Sequence, residues 1–466
     1  MAAEQEQIEE LERENGQLRR ENEQLQRRVK ELERLLEEAL RKLKRQAGPF
    51  ARDVPTQNPR TPGRRAGERY GQHRRRRTPA AVHEEHAAKL PDRCAHCGGP
   101  LECDGSVEQY QEDIVRQTVQ RLFHVEVGHC RRCGRRAQGR HRLQTSDAFG
   151  AASVQIGPEA LALAAELHHG MGLAYGKAAA VLRVGYGLRI DRSTLCRAAA
   201  RLAERAAPTY KHLQAELNQS PAVWLDETGW RLAGRPGWLH VAVTLRITVY
   251  HIDRRRGFAA AQHLVAASYR GVLGHDGWQP YYRYAAAVHQ SCLSHLYRRC
   301  DAILMSTDPT QPPWFAGAVL DFLLRAFAIE RRRRAGALHP HGQCVLLGRM
   351  EHALERLLAW PIENSPLERR LQKHLRHEAP YLLTFLYCPD AESTSNRAER
   401  AIRPAVVARK TWGGNRTAPG AGTQQVLMSV FATYRQQRAT ALPELAELLR
   451  VPKPFLLSIC QHPQPP

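Results

Sequence analysis

A 3-4 repeat of apolar residues runs through residues 4–45 and commits this stretch to one long helix that needs a second helix against it. With Ile8 at position a, the a positions are Ile8, Asn15, Asn22, Val29, Leu36 and Leu43, and the d positions are Leu11, Leu18, Leu25, Leu32 and Ala39. Asn at an a position lowers stability but fixes register, because each amide bonds its mate in a parallel, aligned dimer. The g-to-e′ pairs Glu14–Arg19 and Arg28–Glu33 have opposite signs in that register. Residues 1–46 are therefore expected to be a coiled coil that joins the chain into a homodimer or higher oligomer. Gly16 is a local flaw, costing about 1 kcal/mol relative to alanine.

The next segment, residues 47–90, is rich in Pro, Gly and Arg and includes Arg64-Arg65 and the run Arg74, Arg75, Arg76, Arg77. Such a composition cannot bury enough apolar surface to fold alone. It reads as a flexible basic linker able to lie along phosphates. Over all 466 residues the formal net charge is +22, which favours a polyanionic partner, nucleic acid first. The apolar run Leu161–Leu182 is interrupted by Glu, His and Lys and is too polar to span a bilayer. The N-terminus is acidic and charged, unlike a signal peptide. A cytoplasmic protein with no membrane partner is the expectation.

Eleven cysteines is an odd count, and four of them form two pairs, Cys94-Ala-His-Cys97 and Cys130-Arg-Arg-Cys133, each followed by glycine. Two intervening residues let both sulfurs face one ion, and glycine permits the tight turn. Four thiolates suit a tetrahedral, structural Zn²⁺ rather than a disulfide framework. Residues 91–145 thus read as a zinc-binding β module, with Cys103 and His129 as spare ligands.

Residues 150–215 have a helical pattern: Ala178–Val184, a turn at Gly185–Gly187, then Arg192–Ala206 capped by Asp191 or Ser193. This is a candidate helix-turn-helix that exposes Arg192, Thr194 and Arg197, and equally an ordinary helix pair. From residue 220 the pattern changes. Ala222–Leu225 is a short apolar strand, Trp238–Leu245 and Ile247–Ile252 follow, Phe258–Ala267 is a helix, and Val272–Gly274 is a further strand. Three antiparallel strands before a crossover begin an RNase H-like α/β core, here residues 220–290. A helical insertion over 291–390, closing helices over 391–440 and a tail over 441–466 complete a multidomain α+β chain.

Asp226 ends the first strand of this core and Asp276 follows the fourth. Two cations held by a few such carboxylates can activate an attacking oxygen and stabilise a leaving one. Asp-Gly is also a common turn dipeptide, so the argument rests on the pair at matching strand ends. For the third acid Glu378, Asp390, Glu392 and Glu399 compete; Glu399 could equally form an ordinary i,i+4 pair with Arg403.

The whole constellation resembles the IS66 family of bacterial insertion-sequence transposases. The resemblance spans the coiled coil, the linker, the cysteine pairs, Asp226-Glu-Thr-Gly-Trp230, Gly237–Thr244, Asp276-Gly-Trp278 with Tyr281-Tyr282, Cys292-Leu-Ser-His295 with Arg298-Arg299, Asn396–Pro404, Arg409-Lys410 and Gly414-Asn-Arg416. It implies that Asp226, Asp276 and Glu399 form an acidic triad on two Mg²⁺ (or Mn²⁺) ions, cutting element ends and joining them to target DNA. It implies phosphate contacts from Arg397, Arg400, Arg403, Arg409 and Lys410, supporting roles for Cys292 and His295, and accessory proteins of the same element. His240 departs from the bulky apolar residue expected at its position. A non-catalytic zinc-containing DNA-binding protein and a purely hydrolytic RNase H-like nuclease are the competing readings.

Overall fold

The computed structural model describes residues 16–29, 31–33, 80–89, 91–93, 96–103, 108–111, 118–145, 155–306, 314–362 and 365–460. They fall into two units, Met1–Val115 and Arg116–Pro466, each described by itself. In the first unit α1 (residues 16–29) is helical, as are residues 31–33. The heptad residues Leu18, Leu25 and Val29 are exposed on it, and Leu32 is exposed as well. Ile8, Leu11, Asn15, Leu36, Ala39, Leu43, Cys94 and the arginines at 74–77 lie outside the described residues. Cys97 sits in a turn, followed by Gly98 at φ +72°, and a bridge between Arg93 and Pro100 brackets it.

The second unit opens with a small antiparallel hairpin, β1 (Val127–His129) and β2 (Arg136–Gln138), whose turn carries Cys130 and Cys133. Gly134 (φ +68°) donates its N–H to the Cys130 carbonyl at 2.8 Å, and Cys130 donates to Arg135. Next come α2 (Pro158–Ala165), which passes into a wide turn at Glu166–Gly170, and α3 (Tyr175–Tyr186), stopped by left-handed Gly187. Then α4 (Arg192–Gln219) runs well beyond the expected end at Ala206. The reason is its apolar stripe: Leu202, Ala206, Tyr210, Leu213 and Leu217 recur about every four residues and are all buried.

A five-stranded sheet forms the centre: β3 (Ala222–Leu232), β4 (Arg235–Val243), β5 (Thr248–Asp253), β6 (Val272–His275) and β7 (Val288–Ser291), in the order β5-β4-β3-β6-β7. The first three pair antiparallel; β6 and β7 run parallel to β3. The helix expected over Phe258–Ala267 is a single turn, α5 (Phe258–Ala261), followed by tight turns. β7 is a strand in a stretch expected to lead straight into helices. Its signal is hidden because Gln290 and His289 are buried by hydrogen bonding: Gln290 donates to the Leu382 carbonyl and accepts from Phe385 N–H, while His289 bonds His275.

Beyond β7 come α6 (Leu293–Ser306), α7 (Trp314–Arg334), α8 (Pro340–Leu358), α9 (Pro366–Glu378) and the short α10 (Thr384–Tyr387). α11 (Asn396–Trp412), α12 (Ala418–Gln436) and α13 (Leu442–Arg450) follow. Strand alternation divides the sheet residues between two cores. Val223, Leu225, Ala242 and Val249 face α4, α12 and α13; Trp224, Val241, Tyr250 and Ile252 face α6, α7, α9 and α11. Two expected boundaries are therefore corrected. The helices of 158–219 share a core with the sheet instead of standing apart. Residues 441–460 are not a tail: Leu445, Leu448, Leu449 and Leu457 are buried in that same core.

Two glycines are dictated by close approach. A Cβ on Gly274 would fall 2.3 Å from the Trp224 ring, so β6 pairs with β3 there only as glycine. Gly414 (φ +116°) lies against the Arg231 backbone and lets Asn415 dock on the β3–β4 turn: Ala233 N–H donates to the Asn415 carbonyl at 2.9 Å, and Trp230 Nε1 to its Oδ1 at 2.9 Å. Among the described residues, no helix is long and apolar enough to cross a membrane.

Candidate active site

Asp226 does not end its strand. β3 continues to Leu232 because antiparallel pairing with β4 holds through Leu232↔Arg235. What ends is the parallel pairing with β6, at Trp224↔Gly274. Asp226 thus stands just past the point where β3 and β6 part, and Asp276 just past the end of β6. Asp276 Oδ1 accepts the Trp278 N–H at 2.9 Å, an Asx turn that fixes the loop. Glu399 comes from the first turn of α11, which packs on β3 and β4.

The Asp226 carboxyl is half-buried and crowded. Its pKa is pushed up to about 7, first by burial, then by the negative charge of Glu227, and further by Asp276 and Glu399; the Glu227 N–H, 2.8 Å from Oδ1, works the other way. Acids from three separate stretches of chain therefore act on one another here. Glu399 is steadied by an ion pair with Arg298, and His295 Nε2 lies 3.6 Å from its Oε1. Burial alone would raise the Cys292 thiol, yet His295 and Ser395 hold it below its ordinary value; Ser395 N–H donates to its Sγ at 3.1 Å. The ligand atoms of Cys292, His295 and Glu399 lie within 4.8 Å of one another. Among the described residues, Asp226, Asp276 and Glu399 do not form so tight a group.

The rival third acids are already engaged or face outward. Glu378 is buried and takes hydrogen bonds from Tyr282 at 2.8 Å and from Ser291. Glu392 is buried between Arg397, at 2.6 Å, and Arg334. Asp390 is exposed.

The basic residues divide in the same way. Arg400, Arg403 and Lys410 are exposed on α11; Arg400 and Arg403 line an open groove of about 500 Å³ with Arg435 and Glu166. Arg192 and Arg197 are exposed at the start of α4. Arg397 instead turns inward to Glu392 and over the Trp224 ring, and Arg409 donates to Thr228 Oγ1 and the Gly229 carbonyl of β3. These two reinforce the fold. In the small hairpin, backbone N–H groups of Cys133 and Arg132 lower the Cys130 thiol below its ordinary value.

Sequence reasoning did not single out the clamp behind the site. Glu227, whose side chain is 2% exposed, accepts from Arg256 at 2.8 Å and from the Tyr281 hydroxyl. The Arg256 guanidinium is sandwiched 4.5 Å from the rings of both Trp238 and Trp278. Glu227 follows Asp226 directly, and two adjacent acids on one strand were the available signal.

The centre of the chain is thus a mixed sheet flanked by helices, with Asp226, Asp276 and Glu399 near a helix that exposes Arg400, Arg403 and Lys410. The Transposase IS66 family model matches residues 153–423, and the chain belongs to that family. It is accordingly a transposase, a protein that binds, cuts and transfers DNA. A comparison with curated proteins finds no match.

Proposed function

We propose that this chain is a DDE-type transposase in which Asp226, Asp276 and Glu399 hold two divalent cations, Mg²⁺ or Mn²⁺, for cleavage at insertion-sequence ends and strand transfer into target DNA. The observation that carries this reading is the Asp226 carboxyl, raised first by burial and by neighbouring Glu227, and further by the charges of Asp276 and Glu399 from two other stretches of chain. Like charges in a half-buried site need a proton or a cation to neutralise them. An all-oxygen donor set suits a hard ion. The strand order β5-β4-β3-β6-β7 supports an RNase H-like core with a helical insertion between Asp276 and Glu399.

The bound cations would activate the attacking oxygen, first of water and then of the freed 3′-OH, and stabilise the leaving one. The chain does the positioning. β3, the central strand, carries Asp226, the Asx turn holds Asp276, and Arg298 and His295 orient Glu399. Arg192, Arg197, Arg400, Arg403 and Lys410 would contact phosphates. The α1 stripe would pair two chains and so bring two element ends together. Accessory proteins of the same element belong to this reading as well.

The test is Asp226→Asn in the full chain with DNA carrying the element end. Mg²⁺-dependent nicking should disappear while a gel shift with the same DNA persists. Undiminished nicking would remove Asp226 from the site, and nicking without joined product would leave a hydrolytic nuclease.

A further inference from the structure

The β5 edge carries a second group of metal-ligand atoms that the transposition chemistry does not use. His251 and Asp253 are two apart on β5, so both side chains leave the same face of the strand. His263 reaches them from the turn after α5, which is fixed by its own N–H to the Ala260 carbonyl and by Gln214 donating to its carbonyl at 2.8 Å. One ligand atom from each of the three lies within 4.8 Å of the others. The rings of His251 and His263 are 4.6 Å apart, and His251 Nε2 is 3.7 Å from Asp253 Oδ2.

Two details separate this group from a chance cluster. His251 Nε2 is buried and makes no hydrogen bond, although a buried imidazole nitrogen ordinarily finds a partner. His240 stands directly opposite on β4, and its buried Nδ1 also makes none. Asp253 is already oriented: Oδ1 accepts the Arg255 N–H at 2.8 Å, which leaves Oδ2 facing His251. An oriented carboxylate beside lone-pair nitrogens is the arrangement that metal ligands need.

We propose that His251, Asp253 and His263 form a binding site for a borderline divalent transition cation, Zn²⁺ first, with the fourth position open to water. Two imidazoles and one carboxylate are a donor set for zinc-like ions and a poor one for Mg²⁺. Bonds of about 2.0 Å at tetrahedral angles put ligand atoms about 3.3 Å apart, a short contraction from the observed spacing. Such an ion would staple the end of β5 to the turn after α5. It would close the loop that carries Arg254, Arg255 and Arg256, the last of which clamps Glu227 beside the acids. The site stands apart from the Asp226 reading, and either can fail without the other.

The experiment uses the full chain, stripped with chelator, reloaded with Zn²⁺ and desalted, with zinc measured per chain. His263 is exposed, so His263→Ala is a safe first variant; Asp253→Asn takes its place if circular dichroism shows a folding defect. The variant should hold one zinc ion fewer per chain than the wild type. Cys130→Ser should retain that ion, which separates it from any thiolate site. Cobalt substitution should likewise lose, in His263→Ala, a visible band free of thiolate charge transfer. Equal zinc content and identical cobalt spectra in wild type and variant overturn the proposal.

Discussion

On one face of the sheet at the middle of β3, Asp226 looks toward α11 with like charges around it and a single backbone N–H on its Oδ1. On the other face, one residue along, Glu227 is held by Arg256 and Tyr281, with Trp238 and Trp278 stacked on the guanidinium. Strand alternation alone separates the two. The difference shows two ways in which a fold holds neighbouring acids: the carboxyl of Asp226, disfavoured by burial and like charge, rests on a second layer whose polar groups are satisfied. Trp278 links the layers, since it stacks on Arg256 and donates to Asp276.

The largest expected effect comes from breaking the open face. Asp226→Asn should lower metal-dependent cleavage by at least about a thousandfold, as loss of one member of a cooperating catalytic set does. The same change should leave thermal stability unchanged or raise it, because it removes a carboxylate that its surroundings disfavour. Glu227→Gln should do the reverse. Loss of a buried charged hydrogen bond costs about 1–3 kcal/mol in denaturant melts, discounted because Arg256 is partly exposed. Its effect on cleavage should stay within about tenfold. If Glu227→Gln abolished cleavage at full stability, the two faces would not differ in role.

Buried histidines extend the comparison to a group that is partnered yet costly in acid. His168 bonds the Leu173 carbonyl at 2.6 Å and stacks on Tyr175, and burial lowers its pKa to about 4. The unfolded chain takes up that proton near pH 6.5, the folded chain near pH 4. Stability is therefore whole above about pH 6.5 and falls as pH drops toward 4. The loss is up to about 3 kcal/mol from this group. His169, lowered in the same direction by burial, adds to it. Unfolding midpoints at pH 7 and pH 5 measure the slope, and His168→Asn should flatten it. An equally steep slope in the variant would assign it elsewhere. A smaller loss, about 1–3 kcal/mol, is expected for Gly414→Ala, since φ +116° and the Arg231 carbonyl both oppose a Cβ. A midpoint unchanged from wild type would mean that the Asn415 latch is dispensable.

The sequence made the apolar parts of this architecture legible. Ala222–Leu225 and Val272–Gly274 announce strands because both of their faces are buried, and the acids beyond them stand out against that background. It hid the parts built from polar groups. β7 reads as Val-His-Gln-Ser, without alternation, because hydrogen bonds to Leu382, Phe385 and Tyr284 replace apolar packing. β3 continues past Asp226 through Glu-Thr-Gly, in which Thr alone favours a strand, and is held by β4. Glu399 could not be chosen from pattern, because what distinguishes it from Glu378 and Glu392 is which partners the fold brings to each. The His251–Asp253–His263 group joins two elements twelve residues apart and has no motif of its own.

The same contrast between open and satisfied groups divides the arginines, and the smallest effect tests it. Arg192 is exposed at the N-terminal end of α4, where backbone N–H groups point outward and the helix dipole favours an anion. A phosphate contact there adds one released counterion, so Arg192→Ala should reduce the salt slope of DNA binding by about one and weaken binding alike for all sequences. Arg397→Ala should leave that slope unchanged, because its guanidinium already serves Glu392 and Trp224. It should instead lower the melting temperature, because buried Glu392 would keep only its longer pairing with Arg334. A reduced slope in Arg397→Ala at full stability would mean that DNA draws this side chain away from Glu392, and that the inner layer opens on binding.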